Sequence, residues 1–240
     1  MPIGIMINVL SVAIGGIVGS IVGHKLSLDF KEKLNMIFGA CAMTMGISLI
    51  TEMYQMSAVI FSIVVGTALG LAIHFGDKVA ALCGQMERIV SKFITQKESD
   101  ISVEEFRSTL ITIIVLFCAS GTGIYGSIVE GMTGDHSILI SKSILDFFTA
   151  IIFACLLGYV VSAIAIPQFI IFMILFVLAG FIYPLTTPEM ICDFKATGGV
   201  LLLATGFRMI RVKMFPTADM IPAMVLVMPV SWFWTTYLTF

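Results

Sequence analysis

The sequence predicts an all-α fold, a polytopic bundle of about eight transmembrane helices, on three observations. Hydrophobic residues fill 59% of its 240 positions and charged residues 12%, where a soluble chain carries about 25% charged. The apolar residues fall in runs long enough to cross a hydrocarbon core of ~30 Å. Lysine and arginine are divided unevenly among the breaks between runs, as the positive-inside rule describes for a multi-pass protein. With eight spans of roughly 20 residues plus loops, residues 1–240 read as one integral membrane domain.

The runs lie at residues 3–23, 34–51, 57–75, 108–129, 143–163, 166–184, 196–212 and 219–239. Each is expected to be helical, because amides facing acyl chains have no water to bond. The first follows Met1-Pro2-Ile3-Gly4 without a basic segment and stays apolar to Gly23, so it reads as a retained span and not a cleaved signal. His24 to Lys33 is the polar break after it, and Glu52 to Met56 is a short turn. The segment 76–107 carries eleven of the 28 charged side chains. Within it Val79, Leu82, Met86, Ile89, Val90 and Phe93 recur at helical spacing. That pattern predicts a cytoplasmic amphipathic helix, either a lipid-surface anchor or a linker packed on the bundle. Around Ser162 to Gln168, Pro167 marks either a tight turn or a kink inside one long helix, and the second choice gives seven spans.

One set of alternate loops holds eleven of the thirteen basic side chains, among them Lys25, Lys78, Arg88, Arg107, Arg208 and Lys213, while the other holds only Lys142 and Lys195. The first set belongs in the cytoplasm, which puts both termini outside. The triplets Asp29-Phe30-Lys31 and Asp193-Phe194-Lys195, before spans that run in opposite directions, are the trace an inverted repeat would leave.

The most unusual stretch runs from Cys118 to Asp135, with glycines at 121, 123, 126, 131 and 134 among hydroxyl side chains. Such a sequence is a poor continuous helix, and a discontinuous fourth span is one reading of it. Unwound backbone at membrane depth, with Ser120, Thr122 and Ser127 beside it, can coordinate an ion. Close helix crossing is the other reading of the glycines. Glu130 and Asp135 follow, and then Lys142 and Asp146, four residues apart on one helical face and able to pair. A carboxylate inside a span is costly unless paired or hydrated, which makes Asp146 a candidate for an ion pathway; the plain alternative is an interfacial ion pair. Asn8, inside the first span, must face the bundle. Gly15, Gly19 and Gly23 in the first span, and Gly66 and Gly70 in the third, have the spacing of helix contacts.

Other chemistries find little support. A net charge of −2 without a dense basic cluster gives no reason to expect nucleic acid. Cys41, Cys83, Cys118, Cys155 and Cys192 are scattered, with no paired spacing and no histidine at metal-ligand distance, so neither a metal site nor a disulfide framework is expected. HExxH, GxSxG and paired intramembrane aspartates are missing, so an enzyme is not expected, and no cofactor is implied.

Several segments together resemble a known family. They are Gly4-Ile5-Met6-Ile7-Asn8 with the glycine-rich run after it, Tyr125-Gly126-Ser127-Ile128-Val129-Glu130-Gly131-Met132-Thr133-Gly134-Asp135, Lys142-Ser143-Ile144-Leu145-Asp146 and Ile221-Pro222-Ala223. The chain resembles, over nearly its whole length, the bacterial membrane proteins grouped as domain of unknown function 554 (YdfK/YqgA-like). Leu71 and Arg208 depart from that pattern, which has an acidic residue and an asparagine there. The resemblance implies a bacterial inner membrane and no particular activity.

The functional expectation is a small secondary transporter in contact with membrane lipids. Its site would be built from the fourth span and the start of the fifth. Glu130, Asp135 and Asp146, with Glu52, Glu189 and Asp193, give the outer side an acidic balance that favours a cation, or a small solute coupled to one. A homo-oligomeric channel lined by the fourth span, and a membrane scaffold or sensor acting through 76–107, are the alternatives.

Overall fold

A computed structural model describes residues 1–22, 27–93, 106, 110, 113–114 and 116–238. Among them every extended element is helical: α1 (Ile3–Val22), α2 (Leu28–Ile50), α3 (Met56–Ala72), α4 (Phe75–Phe93), α5 (Gly121–Thr133), α6 (Ser137–Leu157), the short α7 (Val160–Ala163), α8 (Ala165–Ile182), α9 (Pro188–Met209) and α10 (Ile221–Tyr237). Five segments are long and apolar enough to cross a membrane, or six if Met56–Ala72 and Phe75–Gln85 form one bent span. The predicted number of eight is therefore not reached among the described residues, where α10 is shorter and the region of 108–129 is only partly described. Outward-facing side chains are apolar along whole helices, as with Leu10, Ile14, Ile17 and Ile21 of α1. Such a surface suits acyl chains and not water.

The chain forms two compact units, Met1–Lys33 with Val79–Phe181 and Leu34–Lys78 with Ile182–Phe240. In the first, α1 and α6 lie side by side in the same direction. Gly15 faces Phe147 and Gly19 faces Ile151, and a Cβ on Gly15 would stand only 2.5 Å from the Phe147 carbonyl oxygen. Helices without side chains at the crossing approach until backbone meets backbone. Further along, Ser162 donates to the Ala13 carbonyl at 2.9 Å. Val12, Phe117, Ala150, Ala154, Val161 and Ile164 fill the core between these elements. From α4, Val79 and Cys83, one turn apart, pack on that core while Leu82 is exposed. The rest of the predicted amphipathic segment, from 94 to 105, lies outside the described residues.

The break after the predicted fifth span falls at Gly158, whose φ of 70° ends α6. Pro167 instead occupies the first turn of α8, where a missing N–H leaves no intrahelical bond unmade. α5 and α6 are joined by a tight turn in which Gly134, at φ 77°, caps α5 and Asp135 accepts from the Ser137 amide at 3.0 Å.

In the second unit α3 and α10 pack antiparallel, with Gly66 against Ala223 and Gly70 against Asp219. α2 and α9 also cross antiparallel, at two reciprocal glycine pairs, Gly46 with Gly199 and Gly39 with Gly206. Thr187 starts α9 by accepting from the Met190 amide, and Pro188 follows as its first residue. The two Asp-Phe-Lys triplets occupy dissimilar settings, since Asp29 is exposed and pairs with Lys33 whereas Asp193 is fully buried.

Candidate functional site

The first unit encloses a chain of polar side chains among apolar helices. Lys142 and Asp146 share the inner face of α6, and both are more than nine-tenths buried. Lys142 Nζ contacts Asp146 Oδ2 at 2.5 Å. The same oxygen accepts from Asn8 Nδ2 of α1 at 2.9 Å. Asn8 Oδ1 in turn accepts from Gln168 Nε2 of α8 at 2.8 Å. A longer bond, 3.4 Å, runs from that nitrogen to the Phe117 carbonyl. The glycine crossing of α1 on α6 lets an asparagine, with its short side chain, reach Asp146. Three helices are thus joined through groups that lipid or an apolar core would leave unsatisfied.

Beside this chain the backbone is interrupted. Residues 116–118 are helical, Ala119 bends, and Ser120 is extended and starts α5 by accepting from the Gly123 amide at 3.2 Å. In a continuous helix the Phe117 carbonyl would bond the amide four residues on, but the break removes that donor and Gln168 supplies one. Gly123 lies under Lys142, since a Cβ there would stand 3.0 Å from Lys142 Cε and strike the Phe172 ring. Ser127 donates back to the Gly123 carbonyl at 2.7 Å. The Lys142 ammonium is 6.0 Å from the centre of the Phe117 ring, at the outer limit of a cation–π contact.

The candidates from sequence thus divide. Asn8, Lys142 and Asp146 form one hydrogen-bonded cluster. Ser120 and Ser127 bond within α5, beside Lys142, and Thr122 is buried in its first turn. Glu130 is buried and accepts from the amides of Gly4 at 2.7 Å and Ile5 at 3.1 Å, holding the first turn of α1. A carboxylate at that place meets both the free N–H groups and the positive end of the helix dipole. Asp135 is exposed at the α5–α6 turn. Gly23 lies outside the described residues.

Two buried residues escaped the list of candidates. Gln168 is fully buried, and its presence as a lone amide in an apolar run was the available signal. Asp193, in the second unit, accepts from the amides of Tyr54 at 2.9 Å and Gln55 at 2.8 Å and from the Ser231 hydroxyl at 2.6 Å. The predicted acidic outer face is thereby thinned: Glu130, Asp146 and Asp193 point into the protein, and Glu52 pairs with Lys195 at 2.9 Å. Arg208, one of the two departures from the family pattern, is half-buried and donates to Thr217 at 3.2 Å. Leu71, the other, is exposed.

Residues 3–232 match a family model described as Protein of unknown function (DUF554). The chain belongs to the DUF554 family. A DUF554 relative, Uncharacterized protein YqgA of Escherichia coli (strain K12), is 42% identical over 237 residues, covering 99% of each chain. Another, Uncharacterized membrane protein YdfK of Bacillus subtilis (strain 168), is 24% identical over 223 residues, covering 93% of each. No solved structure matches the chain. The name of the second relative and the apolar helices agree that this DUF554 chain is a membrane protein.

Proposed function

We propose that this protein is a small secondary transporter of the bacterial inner membrane, with both termini outside, and that it moves a cation or a small solute coupled to one. Asp146 is the carboxylate that the cation engages. The observation that carries the reading is the buried Lys142–Asp146 pair, linked through Asn8 and Gln168 to the place where a helix breaks.

A buried ion pair adds little stability compared with apolar residues of the same volume, because desolvation offsets most of the attraction. Ionisable groups enclosed among membrane helices more often serve ion or proton paths. Interrupted helices next to such groups supply backbone oxygens and helix ends to a transported ion. All three features meet within the first unit, so no part of the site has to be borrowed from elsewhere.

The test is flux into proteoliposomes that hold the full chain, with gradients of Na⁺, K⁺ and H⁺ imposed in turn. The expected result is saturable, gradient-driven uptake of at least one of them above protein-free vesicles. Unitary current steps in a planar bilayer would replace the carrier with an oligomeric channel. Background uptake of all three would refute a cation-coupled transporter.

A further inference from the structure

The oxygens of the Lys142–Asp146 cluster are held together by three nitrogens, one of them Asn8 Nδ2 on Asp146 Oδ2. Lys142 Nζ rests on Asp146 Oδ2, and Gln168 Nε2 rests between Asn8 Oδ1 and the Phe117 carbonyl. Among the described residues Gln168 Oε1 is buried with no hydrogen-bond partner, and both donors to Asp146 reach the same oxygen, Oδ2. A fully buried acceptor without a donor is costly, and its presence beside an ion pair calls for an explanation.

The two ends of a glutamine amide have the same shape, so a half-turn of Gln168 exchanges Nε2 and Oε1. Oε1 would then join Asn8 Oδ1 and the Phe117 carbonyl, three acceptors with no donor among them. A cation is what such a group of oxygens holds. Withdrawal of the Lys142 ammonium would leave Asp146 as the one negative charge beside them.

We infer that Asp146, Asn8, Gln168 and the Phe117 carbonyl form a binding site for a monovalent alkali-metal cation, and that the Lys142 ammonium is its tethered competitor. The donors are all oxygen, which suits a hard ion and offers nothing to copper or zinc. One carboxylate among neutral oxygens balances a single charge, whereas divalent calcium draws six to eight oxygens, several of them from carboxylates. A proton would neutralise Asp146 but leave the Gln168, Asn8 and Phe117 oxygens without a shared ligand. Entry of the cation is balanced when Lys142 gives up its ammonium proton, so one proton leaves for each cation bound and no bare charge remains at membrane depth. The inference rests on the transporter reading only for its physiological meaning, because binding is measurable without transport.

The experiment uses the purified full chain in detergent, with NaCl, KCl or LiCl replacing choline chloride at constant ionic strength, followed by thermal unfolding and titration calorimetry. At least one alkali cation is expected to raise Tm saturably. Lys142→Gln should bind that cation at least tenfold more tightly, and Gln168→Leu at least tenfold more weakly. If Lys142→Gln fails to fold, Gln168→Leu still decides the site. Absence of a saturable effect from all three salts overturns the inference, as does an unchanged affinity in Gln168→Leu. Unchanged or weaker affinity in folded Lys142→Gln overturns the competition. Proton-driven flux without alkali binding would sink this inference and leave the transporter standing, and alkali binding without flux would do the reverse.

Discussion

Asn8 donates to the same Asp146 oxygen that receives the Lys142 ammonium, so residues 138 positions apart hold α1 against α6 through one carboxylate. Its other end accepts from Gln168, so among the described residues Asn8 links the ion pair to α8. Replacing Asn8 with leucine would remove a donor from a buried carboxylate and an acceptor from Gln168. Groups left unpaired in this way cost ~1–3 kcal/mol each. Asn8→Leu is therefore expected to lower the unfolding free energy in detergent by about 2–4 kcal/mol, while Asn8→Gln should lose less by keeping both functions.

Glu130 makes a different kind of bond, since its two oxygens receive the amides of Gly4 and Ile5 at the start of α1. Glu130→Gln keeps the shape but loses the charge that complements the helix dipole and one of the two acceptors. The expected cost is about 1–2 kcal/mol. Hydrogen exchange should localise it, with faster exchange at Gly4 and Ile5 and little change along α6.

Two glycines should respond to alanine in opposite senses. At Gly15 a Cβ would stand 2.5 Å from the Phe147 carbonyl oxygen and 3.0 Å from Ala150 Cβ, so the helices must separate. Overpacking of that kind costs ~1–3 kcal/mol. Gly84, inside α4, has no described residue within 4 Å of its would-be Cβ. Gly84→Ala is expected to gain roughly 0.5–1 kcal/mol from helix propensity. Thermal unfolding of the two variants in one detergent compares them directly.

In the second unit Asp193 gathers two amides at the start of α3 and the Ser231 hydroxyl of α10. Asp193→Ala would leave the buried Ser231 hydroxyl and two part-buried amides without that acceptor, at a cost of about 2–3 kcal/mol. Ser231→Ala removes one hydrogen bond and should cost about 1 kcal/mol. Chemical unfolding of both variants, with the double variant, measures how far the two residues act as a unit.

These bonds also explain what hydropathy could and could not reveal. Runs 3–23, 57–75 and 166–184 lie within three residues of α1, α3 and α8, because those helices carry few polar side chains. The run at 143–163 begins six residues after α6 does, and that at 196–212 begins eight residues after α9 does. In both places polar residues, Lys142 and Asp193 among them, read as interface or loop because a hydropathy window assumes that each charge stays hydrated. The partners that satisfy them, Asn8 and Gln168 for the α6 pair and Tyr54, Gln55 and Ser231 for Asp193, lie far away in sequence. Spacing alone exposes the i,i+4 relation of Lys142 and Asp146, but no local rule brings Asn8 or Gln168 to them. The glycines from 121 to 134 make a break one of two readings of that stretch, but the capping role of Ser120 and the destination of the freed Phe117 carbonyl are not legible in it.

If Asp146 engages the cation that drives transport, flux by Asp146→Asn in proteoliposomes depends on it directly. Asparagine keeps the volume and one acceptor oxygen but leaves the buried Lys142 ammonium without its counter-charge, so thermal unfolding of the same preparation fixes the folded fraction, and the double variant with Lys142→Gln removes the uncompensated charge. Gradient-driven cation uptake per folded protein is expected to fall to that of protein-free vesicles. Uptake at the wild-type rate by the folded variant would contradict it.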